Sequence, residues 1–336
     1  MKICSYKLQT PIGSHTRLGI LLGEKEIVDV NLVWQKSFED KNYFNAQASA
    51  WHKAPSSLAD VLNIYQENAL SFFQETLELF NKYSHQGSLK TRNNGELKQN
   101  LEGPVSLAKP LDRINCYRDF YAHEKHVAAG FKKRKEPIPE AWYEIPAYYK
   151  GATSGFIGPN ETVPWPSYTK VLDYELEFGL VIGRDGKNIK AEKALEHVFG
   201  YTVFNDISAR DIQKKEMAVR LGPAKGKDFC SVIGPVILTA DEFSGSEPHL
   251  KMTAHINGEK WSEGYSGDSH YSWAQMIEHA SREEWLRATD FMGSGTVGTG
   301  CGLEIDRWIQ PGDQLKLEIE KIGILENTIG SPNSRE

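Results

Sequence analysis

Apolar and polar positions change their spacing several times along the first hundred residues. Two apolar runs flank Gly23-Glu24-Lys25 within residues 18–30, which predicts a β-hairpin. From residue 57 to about residue 83 the apolar positions follow helical spacing, which predicts a helix. Residues 85–104 are polar and rich in Gly and Asn, as is typical of a linker. We therefore expect residues 1–104 to form an N-terminal domain plus linker that packs beside, or shapes the mouth of, a site elsewhere.

The rest of the chain is denser in Gly, Pro and β-branched residues. Turns are predicted at Asn257-Gly258 and at Pro311-Gly312-Asp313. Apolar runs predict strands at residues 180–182, 200–204, 232–239, 252–256 and 315–319, and periodicity predicts helices at residues 190–198, 208–217 and 272–287. The fold class is therefore predicted to be α+β and mostly β, with a second domain over residues 105–336.

Within VLDYELEFGLVIGRDG, residues 171–186, acidic and apolar residues alternate over residues 173–178, and an apolar run follows at once. Successive side chains of a strand point to opposite faces, so Asp173, Glu175 and Glu177 would share one face. A solvent-exposed acidic face is one interpretation. However, strands disfavour acids, and like charges two residues apart repel each other. A divalent cation removes that repulsion and binds oxygen ligands, so a metal site is the other interpretation.

Composition and charge exclude several classes of protein. The 336 residues are 40% hydrophobic and 25% charged, as in ordinary globular proteins. A net charge of −6 gives no basic surface for nucleic acid or for an anionic membrane. The N-terminus lacks the apolar run of a signal peptide, and no stretch is long and apolar enough to span a membrane, so we expect a cytoplasmic protein. The four cysteines are widely spaced and predict buried thiols rather than structural zinc or disulfides.

A second acid follows an apolar strand in GYTVFNDISARDIQ, residues 200–213. Asp206 lies where the strand should end, and Ser208 is a good N-cap for the next helix. Arg210 and Gln213 would then lie on the same side of that helix. Asp206 either caps the turn or supplies another metal ligand, and this stretch alone leaves both interpretations open.

Residues 116–134, CYRDFYAHEKHVAAGFKKR, contain both a carboxylate and imidazoles. If this segment is helical, Asp119 and His126 share one face and lie roughly 10 Å apart along the axis. That separation suits Asp119 as a ligand and His126 as a base. His123 and His126 are an alternative zinc pair, although they lack the H-E-x-x-H spacing. Otherwise His123 and Glu124 are predicted to form a solvated helix face.

Two glycine-rich loops complete the candidate chemistry. In GPAKGKDF, residues 222–229, the glycines allow Lys227 to approach a ligand closely, although surface lysines are the alternative. In GSGTVGTGCGLE, residues 293–304, no P-loop sequence follows, but Thr296 and backbone N–H groups could face an anionic substrate. A flexible surface loop is the alternative there.

Taken together and in this order, these stretches resemble the fumarylacetoacetate hydrolase family over roughly residues 105–330. The resemblance depends on four motifs in register: D-x-E-x-E at residues 173–177, N-D-x-S-A-R-D-x-Q at 205–213, L-G-P-x-x-G-K-x-F at 221–229 and G-S-G-T-V-G-T-G at 293–300. It implies a C-terminal β-roll, a smaller N-terminal α+β domain and, usually, a homodimer.

The resemblance also implies the roles of individual residues. Four carboxylates would bind Mg²⁺, Mn²⁺ or Ca²⁺, namely Asp119, Glu175, Glu177 and Asp206, which leaves Asp173 outside the ligand set. A His126–Glu304 dyad would be catalytic, together with Lys227. The positions that match substrate-binding groups are Tyr121, Tyr149, Arg210, Gln213 and Thr296.

The implied reaction is hydrolysis of a C–C bond in an acylpyruvate or a related β-diketo acid. His126, oriented by Glu304, would take a proton from water, and the metal and Lys227 would stabilise the leaving enolate. Two departures concern the substrate pocket: Arg220 lengthens the segment before the Lys227 loop, and the run 132–134 is shifted by one residue from a family arginine. Ala288-Thr289 also stands where relatives often have Pro-Gly.

Other functions fit the same motifs. An oxaloacetate decarboxylase, or an isomerase or hydratase of oxo-enoic acids in aromatic catabolism, would use the same metal ligands. The His126–Glu304 pair favours hydrolysis, because generating hydroxide needs a base. A non-catalytic binding protein is disfavoured, since every matched polar position carries a suitable residue.

Overall fold

The computed structural model describes residues 1–332, so the last four residues of the predicted second domain lie outside the described chain. The strands are β1 (Lys2–Thr10), β2 (Gly13–Leu22), β3 (Glu26–Asp29), β4 (Lys98–Asn100), β5 (Val105–Ala108), β6 (Tyr117–Phe120), β7 (Tyr148–Gly151), β8 (Phe156–Ile157), β9 (Thr162–Trp165), β10 (Leu172–Asp173), β11 (Leu176–Ile182), β12 (Gly186–Lys187), β13 (Val198–Asp206), β14 (Ser208–Ala209), β15 (Ser231–Thr239), β16 (Lys251–Ile256), β17 (Glu259–Tyr265), β18 (Trp285–Leu286), β19 (Phe291–Gly293), β20 (Gln314–Ile319) and β21 (Gly323–Pro332).

Four of the eight α-helices of residues 1–332 lie within the first 85 residues. The eight are α1 (Val30–Asp40), α2 (Ala46–Lys53), α3 (Leu58–Tyr65), α4 (Ala69–His85), α5 (Glu124–Arg134), α6 (Arg210–Val219), α7 (Trp273–Ser281) and α8 (Gly302–Ile305). Segments of 3₁₀ helix lie at Glu140–Tyr143, Thr153–Gly155, Ala191–His197, Ala240–Phe243 and Ser266–Asp268. The predicted class, α+β and mostly β, is confirmed.

One large sheet joins most strands of residues 1–332. Its order is β4-β3-β2-β1-β15-β13-β11-β19-β6-β7, with β5 paired to β1 and β8 paired to β15. A second sheet has the order β17-β16-β20-β21-β9, and β10-β14 and β12-β18 form two small pairs. The large sheet is an open path from β4 to β7 and does not close into a barrel within the described chain.

The sheet crosses the predicted domain boundary at residue 104. Lys2 in β1 is paired with Leu238 in β15, and β5, which begins at Val105, also pairs with β1. One hydrophobic cluster likewise joins the N-terminal helices to the later strands, with the rings of Phe73 and Phe199 5.9 Å apart. The division at residue 104 stays a prediction about folding units. In the structure its two sides share one sheet and one core cluster.

The strand predictions are confirmed, and several helix predictions need correction. The hairpin of residues 18–30 forms from β2 and β3, and the five other predicted runs lie within β11, β13, β15, β16 and β20. The single helix expected from residue 57 is two helices, α3 and α4, and the expected linker contributes β4 to the sheet edge. Residues 190–198 form only 3₁₀ turns, and the helix expected to reach residue 287 ends at Ser281.

The N-terminus of α6 also differs from the expectation. Ser208 belongs to the short strand β14, and Ala209 is the N-cap without any side-chain hydrogen bond. The reason is that β14 pairs with β10, so the extended chain continues past Ser208 before it can turn helical. The helix is thereby displaced by two residues, and Arg210 becomes its first residue.

No helix of residues 1–332 is both long enough and apolar enough to cross a membrane. All four cysteines fall within this part of the chain and are free. Cys4, Cys230 and Cys301 are buried, whereas Cys116 is only half-buried. The prediction of unpaired thiols is thus confirmed, with Cys116 as an exception to full burial.

Candidate metal centre

Four carboxylates meet where neighbouring strands of the large sheet lie side by side. Asp119 lies in β6, Glu177 in β11 and Asp206 at the end of β13, and Glu175 directly precedes β11. Oxygen atoms of these four residues all lie within 4.8 Å of one another, and each residue is at least nine-tenths buried. Apart from Glu175 and Glu177, the acids are distant in sequence, so strand pairing brings them together.

Strand register explains why Asp119 and Glu177 come so close. Asp119 is paired with Gly293 of β19, and Gly293 is paired with Gly179 of β11. A Cβ at Gly293 would collide with the carboxylates of both Asp119 and Glu177. Glycine at residue 293 of β19 therefore leaves the space in which two carboxylates from the strands on either side of β19 approach each other.

The expectation that Asp119 and His126 lie on one helix within residues 116–134 is wrong. Asp119 lies on a strand, and α5 begins only at Glu124, so it does not share a helix face with His126. The two residues still belong to adjoining parts of the structure, because β6 leads directly into α5. His123 is also buried, at 2% exposure, rather than solvated. Within residues 1–332, two groups of side chains lie close enough together to bind a metal ion, and neither includes His123. The structure therefore does not support a His123–His126 zinc pair.

Strict alternation through residues 173–177 is broken in the structure. β10 ends at Asp173, β11 begins at Leu176, and Glu175 forms an isolated bridge with Cys301. Asp173 is fully buried, but it contacts Arg210 and backbone N–H groups instead of joining the four clustered carboxylates. All three acids are buried, so the interpretation of an exposed acidic face is wrong.

Two cations neutralise part of this charge. The ammonium of Lys227 contacts both Glu175 and Asp206, and the guanidinium of Arg210 lies 2.7 Å from Glu175 and 2.7 Å from Asp173. Burial by itself raises the pKa of Glu175, but Lys227 and Arg210 outweigh it and lower that pKa to about 2. Glu175 is therefore an anion at neutral pH.

The remaining charge of the cluster is not neutralised by side chains. Burial and the neighbouring Asp206 carboxylate raise the pKa of Asp119, and burial and Asp119 raise the pKa of Glu177. Oδ1 of Asp119 is buried without a hydrogen-bond partner. A buried cluster of hard oxygen ligands with one orphaned atom fits a divalent cation, which would supply the missing positive charge.

Hydroxyl and amide groups hold the carboxylates in place. The Tyr149 hydroxyl donates to Oδ2 of Asp206 at 2.7 Å and lies 3.0 Å from the Tyr117 hydroxyl. The backbone N–H of Gly295 donates to Glu177 at 3.0 Å, and the Thr296 hydroxyl donates to its other oxygen at 3.3 Å. The loop at residues 293–300 is therefore ordered against the cluster, and the expectation of a flexible surface loop is wrong.

A second constellation adjoins the carboxylates. Nδ1 of His126 lies 2.6 Å from Oε1 of Glu304, and Oε2 of Glu304 accepts the backbone N–H of Thr299 at 2.9 Å. His126 is close enough to Glu175 to contribute to lowering its pKa. The ring of Tyr121 packs edge-on against the His126 ring, with centroids 5.4 Å apart. This geometry suits an imidazole whose Nδ1 is fixed by a carboxylate, leaving Nε2 for proton transfer.

The predicted substrate-side residues surround these two constellations. Nη1 of Arg210 donates to Oε1 of Gln213 at 2.9 Å, so the two share a helix face as predicted. Among the three cations at residues 132–134, Lys133 pairs with Asp306, whereas Arg134 lies beside Tyr121. Burial raises the pKa of Tyr121, and the Arg134 charge opposes that rise.

Sequence reasoning missed two residues of the site. Cys301, treated only as a buried thiol, has its sulfur 3.6 Å from Oε1 of Glu304. Tyr117 was not singled out, although its hydroxyl extends the Tyr149–Asp206 hydrogen bonds. Cys301 lies three residues before Glu304 in the glycine-rich segment, which was the sequence feature that could have revealed it.

The fold and this site together define a class of enzyme. Residues 115–330 match the family model described as Fumarylacetoacetate (FAA) hydrolase C-terminal. The match covers more than half of the chain, and the chain belongs to this family.

The proteins that this chain resembles are named for different activities. The chain is 38% identical over 163 residues to "Oxaloacetate tautomerase YisK" of Bacillus subtilis (strain 168), an alignment that covers 48% of this chain and only 53% of the relative. It resembles the structure of 5-carboxymethyl-2-hydroxymuconate delta-isomerase from Mycobacterium smegmatis, with a TM-score of 0.64 and 19% identity over 99% of this chain and 100% of the other. It also resembles fumarylpyruvate hydrolase from Pseudomonas aeruginosa in complex with Mn²⁺ and pyruvate, with a TM-score of 0.54 and 23% identity over 65% of this chain and 90% of the other. The structural likenesses establish the fold alone.

Proposed function

We propose that the protein is a divalent-metal-dependent hydrolase that cleaves the C–C bond of an acylpyruvate or a related β-diketo acid. The observation that carries the proposal is the His126–Glu304 pair, 2.6 Å apart, beside a buried cluster of four carboxylates. A metal centre alone would serve several reactions of oxo acids. A base next to it provides what hydrolysis needs in addition, since water must lose a proton to attack.

Four residues would hold the metal in this proposal, namely Asp119, Glu175, Glu177 and Asp206. Their oxygen-only ligand set suits Mg²⁺, Mn²⁺ or Ca²⁺. When bound, the ion would act as a Lewis acid toward the oxygens of the oxo acid. The P. aeruginosa fumarylpyruvate hydrolase, which contains Mn²⁺, supports the choice of a divalent ion.

The protein's own groups then move the protons. Glu304 accepts the hydrogen bond from Nδ1–H of His126, which leaves Nε2 free to take a proton from water. The resulting hydroxide adds to the distal carbonyl carbon, and the C–C bond breaks with its electron pair remaining on the oxo-acid fragment. Return of the proton from His126 converts that enolate into a ketone. The products are a carboxylic acid, which then loses its proton to solvent, and a pyruvate-like ketone, so atoms and charge balance.

Lys227 supports the departing negative charge in this scheme. Its ammonium already contacts Glu175 and Asp206 in the interior, and their charges raise its pKa above the usual value although burial alone would lower it. It therefore remains protonated at neutral pH. A fixed buried cation favours an enolate more than the neutral ketone from which the enolate forms.

Substrate orientation is assigned to the polar groups at the edge of the two constellations. These groups are Tyr121, Tyr149, Arg210, Gln213 and Thr296. We add Arg134, because it lies beside Tyr121. Lys133 and Arg134 are both paired with acids, Asp306 and Glu136 respectively, so the choice of Arg134 depends on its position beside Tyr121. A guanidinium is suited to the substrate's carboxylate, which it can bind with two parallel hydrogen bonds.

An absorbance assay tests the proposal. Metal-stripped protein receives Mg²⁺ or Mn²⁺ and is presented with acetylpyruvate, fumarylpyruvate and oxaloacetate, and the products are identified. Metal-dependent formation of pyruvate plus an acid from an acylpyruvate is the expected result. Carbon dioxide release from oxaloacetate alone would overturn the hydrolase in favour of a decarboxylase.

A second candidate function is keto–enol tautomerisation of oxaloacetate. The observation that favours it is the 38% identity to the B. subtilis oxaloacetate tautomerase, although the chain spans about half the length of that relative. The same base would deliver a proton to the enol carbon while the enol oxygen gives up its proton to solvent, without adding water. Enol-to-keto conversion of oxaloacetate, with no cleavage of any acylpyruvate, would favour this candidate over hydrolysis.

The family resemblance also predicts a homodimer that acts on a small oxo acid. Light scattering coupled to size exclusion tests the assembly, and a mass of one chain would contradict the dimer.

A further inference from the structure

Three side chains of different chemistry converge beside the carboxylate cluster. Ligand atoms of His126, Cys301 and Glu304 all lie within 4.8 Å of one another. Nδ1 of His126 lies 2.6 Å from Oε1 of Glu304, and Sγ of Cys301 lies 3.6 Å from the same oxygen. The group offers one nitrogen, one sulfur and one oxygen, which is a different donor set from the four carboxylates.

The backbone holds this group in position. Thr299 donates its N–H to Glu304 at 2.9 Å, and Glu304 donates its own N–H to the carbonyl oxygen of Cys301 at 3.2 Å. The backbone of Cys301 also forms an isolated antiparallel β-bridge with the backbone of Glu175. Cys301 is fully buried and His126 is 7% exposed. The side chains thus need little rearrangement to surround an ion, and the conformational entropy cost of assembling them is small.

We propose that His126, Cys301 and Glu304 form a second metal site, specific for a thiophilic divalent cation such as Zn²⁺ and separate from the carboxylate centre. Zinc is bound in proteins by thiolate, imidazole and carboxylate groups, and three protein ligands leave a fourth position for water. Thiolate and imidazole ligands discriminate against Mg²⁺ and Ca²⁺, which prefer oxygen. The two sites therefore differ in the metals they select.

Proton release accompanies binding at this site. Zinc takes the place of the proton shared by His126 and Glu304 and of the proton on the Cys301 thiol, and both protons pass to solvent. Nδ1 of His126 is then committed to the ion. Zinc therefore removes the imidazole from proton transfer and inhibits any reaction that uses it as a base. The site itself does not depend on the proposed function, but this inhibition does.

Metal binding without substrate is the first test. Chelator-treated protein is saturated with Mg²⁺ to fill the carboxylate centre and is then titrated with Zn²⁺ by calorimetry and with Co²⁺ by absorbance. We expect a further equivalent of zinc and a cobalt–thiolate charge-transfer band. Cys301→Ser should abolish the band and weaken zinc affinity at least roughly tenfold. That is the low end of the loss seen when a group that only supports a metal ligand is removed.

The matched control is Cys4→Ser, because Cys4 is also a free and fully buried thiol but lies in β1, in the N-terminal part of the sheet. It should bind zinc and cobalt as the unmodified protein does. Cys301→Ala provides a second variant if the serine hydroxyl disturbs packing, and circular dichroism confirms that each variant is folded. His126→Ala should weaken the Co²⁺ band without affecting the carboxylate centre.

Either of two binding results would overturn the site: an unchanged zinc affinity in both Cys301 variants, or one-for-one displacement of Mg²⁺ by zinc with no thiolate band. Turnover provides a separate measurement. With each protein normalised to its own rate without zinc, we expect Cys301→Ser to resist inhibition. If none of these proteins, the unmodified one included, shows turnover, that result counts against the proposed function. It leaves the binding result intact, so the two failures are distinguishable.

Discussion

Asp173 accepts a hydrogen bond from the backbone N–H of Gly302 at 2.7 Å, and this contact joins the two halves of the candidate site. Asp173 also accepts from Leu303 at 3.0 Å and pairs with Arg210, which in turn reaches Glu175. The segment that begins at Gly302 carries Glu304. The buried carboxylate of Asp173 thus fixes Glu304 relative to Glu175 of the metal centre.

Asp173→Asn should therefore lower turnover through position rather than through metal loss. Asparagine retains an acceptor oxygen for Gly302 but lacks the charge opposite Arg210, so Glu304 and Glu175 lose their common anchor. We expect kcat to fall by about 100-fold, the effect that a misplacement of about 1 Å can have. Steady-state kinetics together with Mg²⁺ calorimetry check this.

Asp185→Asn provides the control for that variant. Asp185 also accepts a backbone N–H, from Ala288, and pairs with an arginine, Arg287, but it takes no part in the site. Its variant should keep full turnover. A kcat for Asp173→Asn equal to that of the control would show that Asp173 has no positioning role.

Glu175→Gln should strongly weaken binding of Mg²⁺ or Mn²⁺. Glu175 keeps its negative charge because Lys227 and Arg210 outweigh burial, so it is the carboxylate of the cluster best prepared to bind a cation. We expect calorimetry to show at least about a 100-fold weaker affinity, the upper end of the loss seen for groups that only support a ligand. Glu192→Gln, at an exposed position, is the control. Unchanged metal affinity in Glu175→Gln would remove Glu175 from the ligand set.

His126→Ala should retain the metal and lose hydrolysis. Removing a general base costs about 10²- to 10⁴-fold in rate. Calorimetry with Mg²⁺ should give the affinity of the unmodified protein, because the imidazole is not among the four oxygen ligands. His15→Ala, on the exposed part of β2, should keep full activity. Full activity in His126→Ala would place the base elsewhere.

Lys227→Met should make the fold more dependent on metal. The ammonium lies among carboxylates that otherwise repel each other, and a divalent ion neutralises the same charges. Thermal unfolding with and without Mg²⁺ should show a larger increase in Tm for the variant than for the unmodified protein. Turnover should also fall in the metal-saturated variant. Equal Tm increases in both proteins would show that Lys227 does not share the charge balance of the metal centre.

Arg118→Met should destabilise the fold without touching the site chemistry. Arg118 and Asp290 are each about 2% exposed and lie 2.9 Å apart, so removing the arginine leaves a buried carboxylate without its partner. The expected cost is about 3–5 kcal/mol in the free energy of unfolding, measured by urea denaturation. Adding Asp290→Asn should recover part of that loss. A double variant no more stable than Arg118→Met would show that the unpaired charge is not the cause.

The two glycine-rich loops were the hardest parts to assign before the structure. Their composition is compatible with flexible surface segments, and only the hydrogen bonds of Gly295 and Thr296 to Glu177 show that one of them is ordered against the cluster. The other glycine-rich loop, residues 222–229, is held by Glu216, which accepts hydrogen bonds from the N–H groups of Ala224 and Lys225 at 3.0 and 2.7 Å. Contacts of this kind join residues that sequence periodicity does not relate.

The residue pattern alone predicted the hairpin of β2 and β3, the strands β11, β13, β15, β16 and β20, the mostly β class and most of the candidate site residues. Alternation and apolar runs reflect local geometry, and motif spacing preserves residue type, so both can be read without a fold. The local pattern could not place Asp119 on a strand, because that outcome depends on pairing between distant strands. Alternation alone would group Asp173 with Glu175 and Glu177, and only the family resemblance left Asp173 outside the ligand set. Gly293 pairs with Asp119 on one side and Gly179 on the other, and this register alone brings the acids of β6 and β11 together. Tertiary structure likewise decided that Cys301 joins His126 and Glu304, since burial and long-range contacts, rather than local propensity, position a thiol.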